Sequence, residues 1–139
     1  MADPNDFNAK VIEEFRANAG RVGGMFEGMP VVLVHHRGAR TGTERVNPLV
    51  YLKDGERYVV FASKGGAPTH PAWYHNLLAN PRTEIEVGTE TIPVEATEAT
   101  GEERDRLFEE QKRAQPQFAE YEQKTGGRAI PVVVLTPTG

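Results

Sequence analysis

Ser63 and Lys64 stand directly before Gly65 and Gly66 in the stretch A-S-K-G-G-A-P-T-H-P-A-W-Y-H-N-L-L-A-N, from Ala62 to Asn80. A hydroxyl and a cation followed by two glycines let the backbone turn and approach a ligand with no Cβ in the way, which supplies the donors of an anion pocket. The stretch follows the apolar run Tyr58-Val59-Val60-Phe61 and so begins where a strand should end. Pro71 sits where the first residue of a helix would, its missing N–H costing nothing there. Trp73, Tyr74, Leu77 and Leu78 give that short helix two apolar faces before Asn80-Pro81 stops it. Strand end, cationic turn and helix N-terminus aim donors and partial positive charge at one place, which suits a phosphate or an acidic tail. Read locally, the stretch is equally compatible with an ordinary strand-to-helix loop.

A second donor-rich turn, Arg37-Gly38-Ala39-Arg40-Thr41-Gly42, follows the buried strand expected at Val31-Val32-Leu33-Val34-His35-His36. Adjacent histidines invite a metal hypothesis. Neighbouring side chains on a strand point to opposite faces, however, so His35 and His36 cannot easily share one ion, and no metal site is expected. Arg45 through Tyr51 forms the next strand, with Asn47 and Pro48 breaking its edge, and Asp54-Gly55 is a hairpin signal leading into Tyr58 to Phe61. Three antiparallel strands result. The loops from Arg40 to Arg45 and from Ser63 to Gly66 are then able to meet at one end of the sheet.

The elements that must position these loops follow from periodicity. Asn5 or Asp6 caps an N-terminal helix, within residues 1–20, in which Phe7, Val11, Ile12 and Phe15 recur at helical spacing and which Gly20 ends. It should lie on a core, although an exposed Phe stripe would leave peripheral contact with a membrane surface or a second subunit open. Gly20 to Pro30 reads as a loop. Thr83 to Val87 alternates as a half-exposed strand, Gly88 turns it, and Thr91 to Ala96 is a fifth strand. Thr100 with Glu103 resembles a capping box opening a helix through Arg113 whose apolar face is Leu107 and Phe108. Pro116 interrupts; Phe118 and Tyr121 then sit three apart on a second short helix that ends at Gly126-Gly127, and Ile130 to Leu135 is a final buried strand. Most links are too short for parallel crossovers, so the class is α+β with a mainly antiparallel sheet. Six twisted strands in so small a domain gain most by closing into a barrel.

With 139 residues the chain has room for one domain, residues 1–139, with one respectable core. A hydrophobic fraction of 38%, with 14 Gly and 10 Pro, describes a soluble globular chain of short strands and tight turns. The formal net charge of -4 argues against a nucleic-acid partner. Its distribution is uneven: Val31 to Gly66 carry Arg37, Arg40, Arg45, Lys53, Arg57 and Lys64 against three acids, whereas Glu98 to Glu122 are mainly acidic. A local cationic site on an acidic protein suits a small anionic ligand. The absence of cysteine excludes disulfides, thiolate catalysis and cysteine-ligated metals. The N-terminus lacks the basic start and apolar stretch of a secretory signal, and no run is long enough to span a membrane, so a cytoplasmic protein is expected.

Two stretches together resemble a known family. G-A-R-T-G-T-E-R-V-N-P-L-V-Y, from Gly38 to Tyr51, then the Asp54-Gly55 hairpin and F-A-S-K-G-G-A-P-T-H-P-A-W-Y-H-N-L, from Phe61 to Leu77, closely resemble the deazaflavin-dependent nitroreductases of actinobacteria. The likeness extends through Asn80-Pro81, Glu86-Val87-Gly88, the E-E-R-D-R helix and the closing R-x-I-P-V-V-V-L-T strand. Paired motifs at this separation are far more specific than one glycine turn. The resemblance implies a split β-barrel, similar to the FMN-binding barrels, that uses coenzyme F-420, an 8-hydroxy-5-deazaflavin with a phosphodiester and a polyglutamate tail. By position Arg40, Thr41, Arg45 and Lys64 resemble the residues that hold phosphate and tail carboxylates, with Gly65 and Gly66 beside them. Asn47, Pro48, Leu49, Phe61, Ala62, Ser63, Trp73, Tyr74 and Asn76 resemble the cofactor groove, although Leu49, Phe61 and Trp73 equally suit a plain core. Phe118 and Tyr121 resemble a substrate-side aromatic wall that is often tyrosine-rich; Phe118 lacks the hydroxyl. The implied reaction moves a hydride from the reduced deazaflavin to an electron-poor acceptor such as a quinone, nitro compound or activated alkene, with Ser63 and Tyr121 as candidate catalytic donors. FMN as the cofactor, a non-catalytic deazaflavin-binding role and a homodimer are left open.

Overall fold

The computed structural model describes residues 4–24, 28–39, 41–63, 70–125 and 129–138, and the side chains of these from residue 8 onward. Arg40, Lys64, Gly65, Gly66, the side chain of Phe7 and the Gly126-Gly127 helix stop lie outside the described residues. Four helices, α1 (Pro4–Ala17), α2 (Ala72–Ala79), α3 (Gly101–Ala114) and α4 (Gln117–Lys124), accompany six strands, β1 (Val31–Arg37), β2 (Glu44–Asp54), β3 (Arg57–Phe61), β4 (Arg82–Val87), β5 (Glu90–Glu98) and β6 (Val132–Pro137). The strands close into a barrel in the order β1-β2-β3-β6-β5-β4, and every pairing is antiparallel. The expected α+β split barrel is the observed fold.

The apolar runs of β1, β3 and β6 are continuous because both faces of these strands are covered. Val32 and Val34, Val60, and Val133 and Leu135 point into a cluster with Ile85 and, from α2, Trp73, Tyr74 and Leu77. Their sequence neighbours point the other way, as a period of two requires. Val59, Phe61, Val132 and Val134 carry Leu107 and Phe108 of α3 and Phe118 of α4, while Val31 and Leu33 carry Phe15 of α1. Phe15 is therefore buried and offers no exposed stripe.

Pro48 does not break β2, which runs unbroken through it for 11 residues. The Tyr51 N–H donates to the Pro30 carbonyl, so by alternation Asn47 and Leu49 also turn their N–H groups toward β1, and the nitrogen of Pro48 faces away. On that side β3 pairs only with Tyr51 to Asp54, so no strand lies beside Pro48 and its missing N–H costs no ladder bond. Three helix starts also differ from expectation. Asn5 and Asp6 lie within α1, whose first residue is Pro4. Pro71 is the cap of α2, extended at ψ 153, with the helix beginning at Ala72. Thr100 caps α3 without a side-chain hydrogen bond, and Glu103 instead approaches Arg57 at 3.6 Å.

An ion cluster ties α1 to the barrel. Arg16 meets Glu86 of β4 through Nε at 3.0 Å and Nη2 at 2.7 Å, and His35 Nε2 lies 2.7 Å from the same carboxylate. The Arg16 hydrogen bond, followed by that of His35, holds the Glu86 carboxyl below its usual value of 4.5. A depressed carboxyl pKa stabilises the fold above the unfolded value, and that contribution fades as pH falls through 4.5 toward the folded one. Because Arg16 is 51% exposed, Glu86→Gln should cost only about 1 kcal/mol at neutral pH, and the variant should lose less stability than the parent on acidification, as urea melts would show.

Candidate functional site

A groove of about 750 Å³ opens along the part of β2 that β3 leaves unpaired. Arg45, Val46, Asn47, Pro48, Leu49 and Val50 line it from β2, Phe61 and Ser63 from the end of β3, and Pro71, Ala72 and Trp73 from the start of α2. Asn8, Ala9 and Ile12 of α1, Met29, and Gln117, Phe118 and Tyr121 of α4 complete the wall. A second cleft of about 470 Å³ is lined by Gly38, Ala39, Thr41, Arg45, Ala72, His75 and Asn76. Arg45 and Ala72 belong to both, so the two cavities are contiguous, and the smaller carries the side chains of Thr41, Arg45, His75 and Asn76.

The residues singled out in the sequence separate into groups. Arg45, Asn47, Pro48, Leu49, Phe61, Ser63 and Trp73 line the groove together with Phe118 and Tyr121. Thr41 and Asn76 line the smaller cleft, with Arg45 shared. Ala62 is fully buried in the barrel core and lines neither cavity. The Tyr74 ring lies in the same core, and its hydroxyl donates to Glu98 at 2.7 Å; burial and that carboxylate push the phenol up to about 12. Tyr74 is thus committed to the barrel and lines neither cavity. Phe118 and Tyr121 stack edge to face with centroids 5.1 Å apart, and Phe118 rests on Phe61 at 5.9 Å, so the aromatic wall is continuous from β3 to α4.

His36 was not among the expected site residues, and it connects the two cavities. Only 3% exposed, it lines the groove, with Nε2 2.7 Å from Asn47 Oδ1 and Nδ1 3.0 Å from Asn76 Nδ2. Asn76 Oδ1 in turn accepts the Ala39 N–H at 3.0 Å. Burial lowers the imidazole pKa below its usual 6.5, with Arg45 and His35 adding to the shift and the Asn47 hydrogen bond opposing it. His35 turns to Glu86, so the two adjacent histidines do face opposite ways. The signal available in the sequence was the alternation Val32, Val34, His36, which places an imidazole on the barrel-facing side. The contributions of α1, Met29 and Gln117 carried no such signal.

A closed six-stranded antiparallel barrel, with α2 packed on its interior cluster, the other helices on its outer faces and a groove beside its incompletely paired second strand, makes this a split-barrel protein. The chain belongs to the F-420H(2)-dependent quinone reductase family, whose sequence model matches residues 9–137. It is thereby an oxidoreductase, as the paired motifs implied. An F-420H(2)-dependent quinone reductase of Mycobacterium tuberculosis is 40% identical over 126 residues, covering 88% of this chain and 84% of that one. Among solved structures, an F-420-H2 dependent reductase is 40% identical, covers 76% of this chain and 93% of its own, and superposes with a TM-score of 0.69. Another solved structure, 34% identical and described as a domain-swapped dimer, covers 96% of this chain and 99% of its own with a TM-score of 0.71. No described helix is long and apolar enough to cross a membrane.

Proposed function

We propose that the groove holds the ring of coenzyme F-420 against Asn47, Pro48, Leu49, Phe61, Ser63 and Trp73, and that the adjoining cleft takes its phosphate and glutamate tail along Thr41 and Arg45. The observation that carries this reading is the shared wall of Arg45 and Ala72: a flat ring with a long anionic extension needs a slot that continues past a cation and hydrogen-bonding side chains, here Arg45, Thr41 and Asn76. Arg40, Lys64, Gly65 and Gly66 flank these two cavities in the sequence and add the remaining cations and an unobstructed backbone. When bound and reduced, the cofactor supplies a hydride for an electron-poor acceptor such as a quinone.

The chain's own residues bind, shield and polarise. Phe61, Phe118 and Trp73 exclude water from the reacting face, which strengthens every charge interaction there. Tyr121 and Ser63 offer hydroxyls that stabilise negative charge developing on an acceptor oxygen. The cytoplasm is the compartment this reading favours, and the domain-swapped relative makes a homodimer the assembly to look for by light scattering.

Titration of the protein with coenzyme F-420, followed by oxidation of the reduced form by menadione, tests the reading. Binding without turnover would leave a carrier instead of a reductase; no binding would remove the cofactor assignment. Tyr121→Phe and Phe118→Ala should each lower menadione turnover about tenfold while changing cofactor affinity less. Equal losses of affinity in both variants would mean that α4 grips the cofactor.

A further inference from the structure

We propose that His36 is a positioning residue: it fixes the Asn47 amide so that Nδ2 stands as a hydrogen-bond donor at the groove wall. The inference rests on the groove being the cofactor site, but its geometry does not.

The direction of the whole chain of bonds is set at one end by a backbone group. The Ala39 N–H can only donate, so the Asn76 atom 3.0 Å from it is the carbonyl oxygen and the atom facing His36 is the amide nitrogen. Nδ1 of His36 must therefore accept, which puts the ring proton on Nε2, and Nε2–H donates to Asn47 Oδ1 at 2.7 Å. Asn47 is half-buried and lines the groove, and its Nδ2 has no partner among the described residues. A turned Asn47 would set N–H against N–H. The sequence positions 36, 39, 47 and 76 thus form one relay from the smaller cleft, where Ala39 and Asn76 lie, to the groove.

The relay tolerates only a neutral imidazole. A proton on Nδ1 faces the Asn76 amide hydrogens, and turning Asn76 to relieve this sets its amide against the Ala39 N–H, so at least one buried bond is lost. The groups facing His36 also oppose protonation: Arg45 on β2 and His35 on β1 act against a positive ring, and α2 presents the uncharged Asn76. Nε2–H donates to Asn47 in the neutral and the protonated ring alike, so protonation acts on Asn47 by releasing Nδ1 from Asn76 and with it the position of the ring. The neutral ring, held at both nitrogens, gives the ligand a donor of fixed direction, suited to a carbonyl oxygen or an unprotonated ring nitrogen.

Two measurements test this. Nitrogen-15 NMR of the imidazole in the cofactor-free protein at neutral pH should show a neutral ring protonated on Nε2. A ring protonated on Nδ1, or a charged ring, would overturn the relay irrespective of any ligand. Coenzyme F-420 titrations across acidic to neutral pH should then show wild-type affinity falling as pH drops through the His36 titration, below 6.5. His36→Gln should bind roughly tenfold more weakly at neutral pH and lack that pH step. Asn47→Asp, isosteric and still an acceptor for Nε2–H, replaces the donor by an oxygen and should lose roughly tenfold or more, which covers the case of a His36 variant that does not fold. Wild-type affinity and an unchanged pH profile in the two variants would refute the positioning role. Wild-type protein that binds no cofactor at any pH overturns the groove assignment and the donor role with it, while the tautomer still reports on the relay.

Discussion

Phe108→Ala should destabilise the protein by about 3–5 kcal/mol, the range for removing a fully buried aromatic side chain that leaves a cavity behind. Phe108 is 1% exposed and packs its ring on Phe61 at 5.8 Å, and its faces carry Arg104 at 4.7 Å and Lys112 at 5.1 Å. The substitution removes both the apolar volume and the π-surface that these cations cover. Leu78→Ala, at a side chain left 45% exposed on α2, should change stability by less than about 0.5 kcal/mol and serves as the control. Urea melts of both would decide it, and a Phe108 variant within about 1 kcal/mol of the parent would show that α3 is not the support it is taken to be. Because Phe61 and Phe118 line the groove and rest on this cluster, the variant should also loosen the aromatic wall.

Removing Arg40, Arg45 and Lys64 together should cost about two decades in affinity for coenzyme F-420, and much less for FMN. A solvent-screened ion pair contributes no more than about 1 kcal/mol, so selectivity must accumulate over several. FMN ends in one phosphate, whereas the deazaflavin continues into several glutamates and on the proposed reading engages all three cations. Raising ionic strength should therefore erode deazaflavin affinity more than FMN affinity, since screening acts on more charge pairs. Calorimetric titrations of both cofactors at low and high salt provide the check. Equal affinities, or a salt response confined to FMN, would remove the tail-binding role from these cations.

Much of this architecture was legible from residue patterns. The runs Val31 to Val34, Tyr58 to Phe61 and Ile130 to Leu135 specify buried strands, and the short links between elements specify antiparallel pairing. Pro48 misled because its tolerance depends on which side of β2 lacks a neighbour, a property of the closed sheet and not of the local sequence. The capping box at Thr100 failed for a similar reason: Glu103 has a tertiary partner in Arg57, far away in the chain. Tyr74 fits an aromatic groove by type, yet Glu98 claims its hydroxyl. His36 went unnoticed as a site residue because its partners, Asn47 and Asn76, come from β2 and α2 and meet only once the barrel forms. Residue types at fixed spacing pointed to the groove, whereas the hydrogen-bond order within it required three dimensions.

The barrel order also sets which distant parts of the chain must meet as it folds. β6 is the strand that joins β3 to β5, pairing Val60 with Val133 on one side and Ala96 with Leu135 on the other. Until it docks, β1 to β5 amount to a curved five-stranded sheet with two open edges, and the contacts that close it lie far apart in sequence. Loop closure of that kind is slow, so folding should proceed on the millisecond-to-second scale of roughly 0.001–1 s typical of non-local β topologies. The same two edges expose unpaired amides during that interval, and they would accept an equivalent strand from a neighbouring chain as readily as β6 itself. Concentration during refolding, more than the denaturant used, should thus govern how much protein returns to the single-chain barrel.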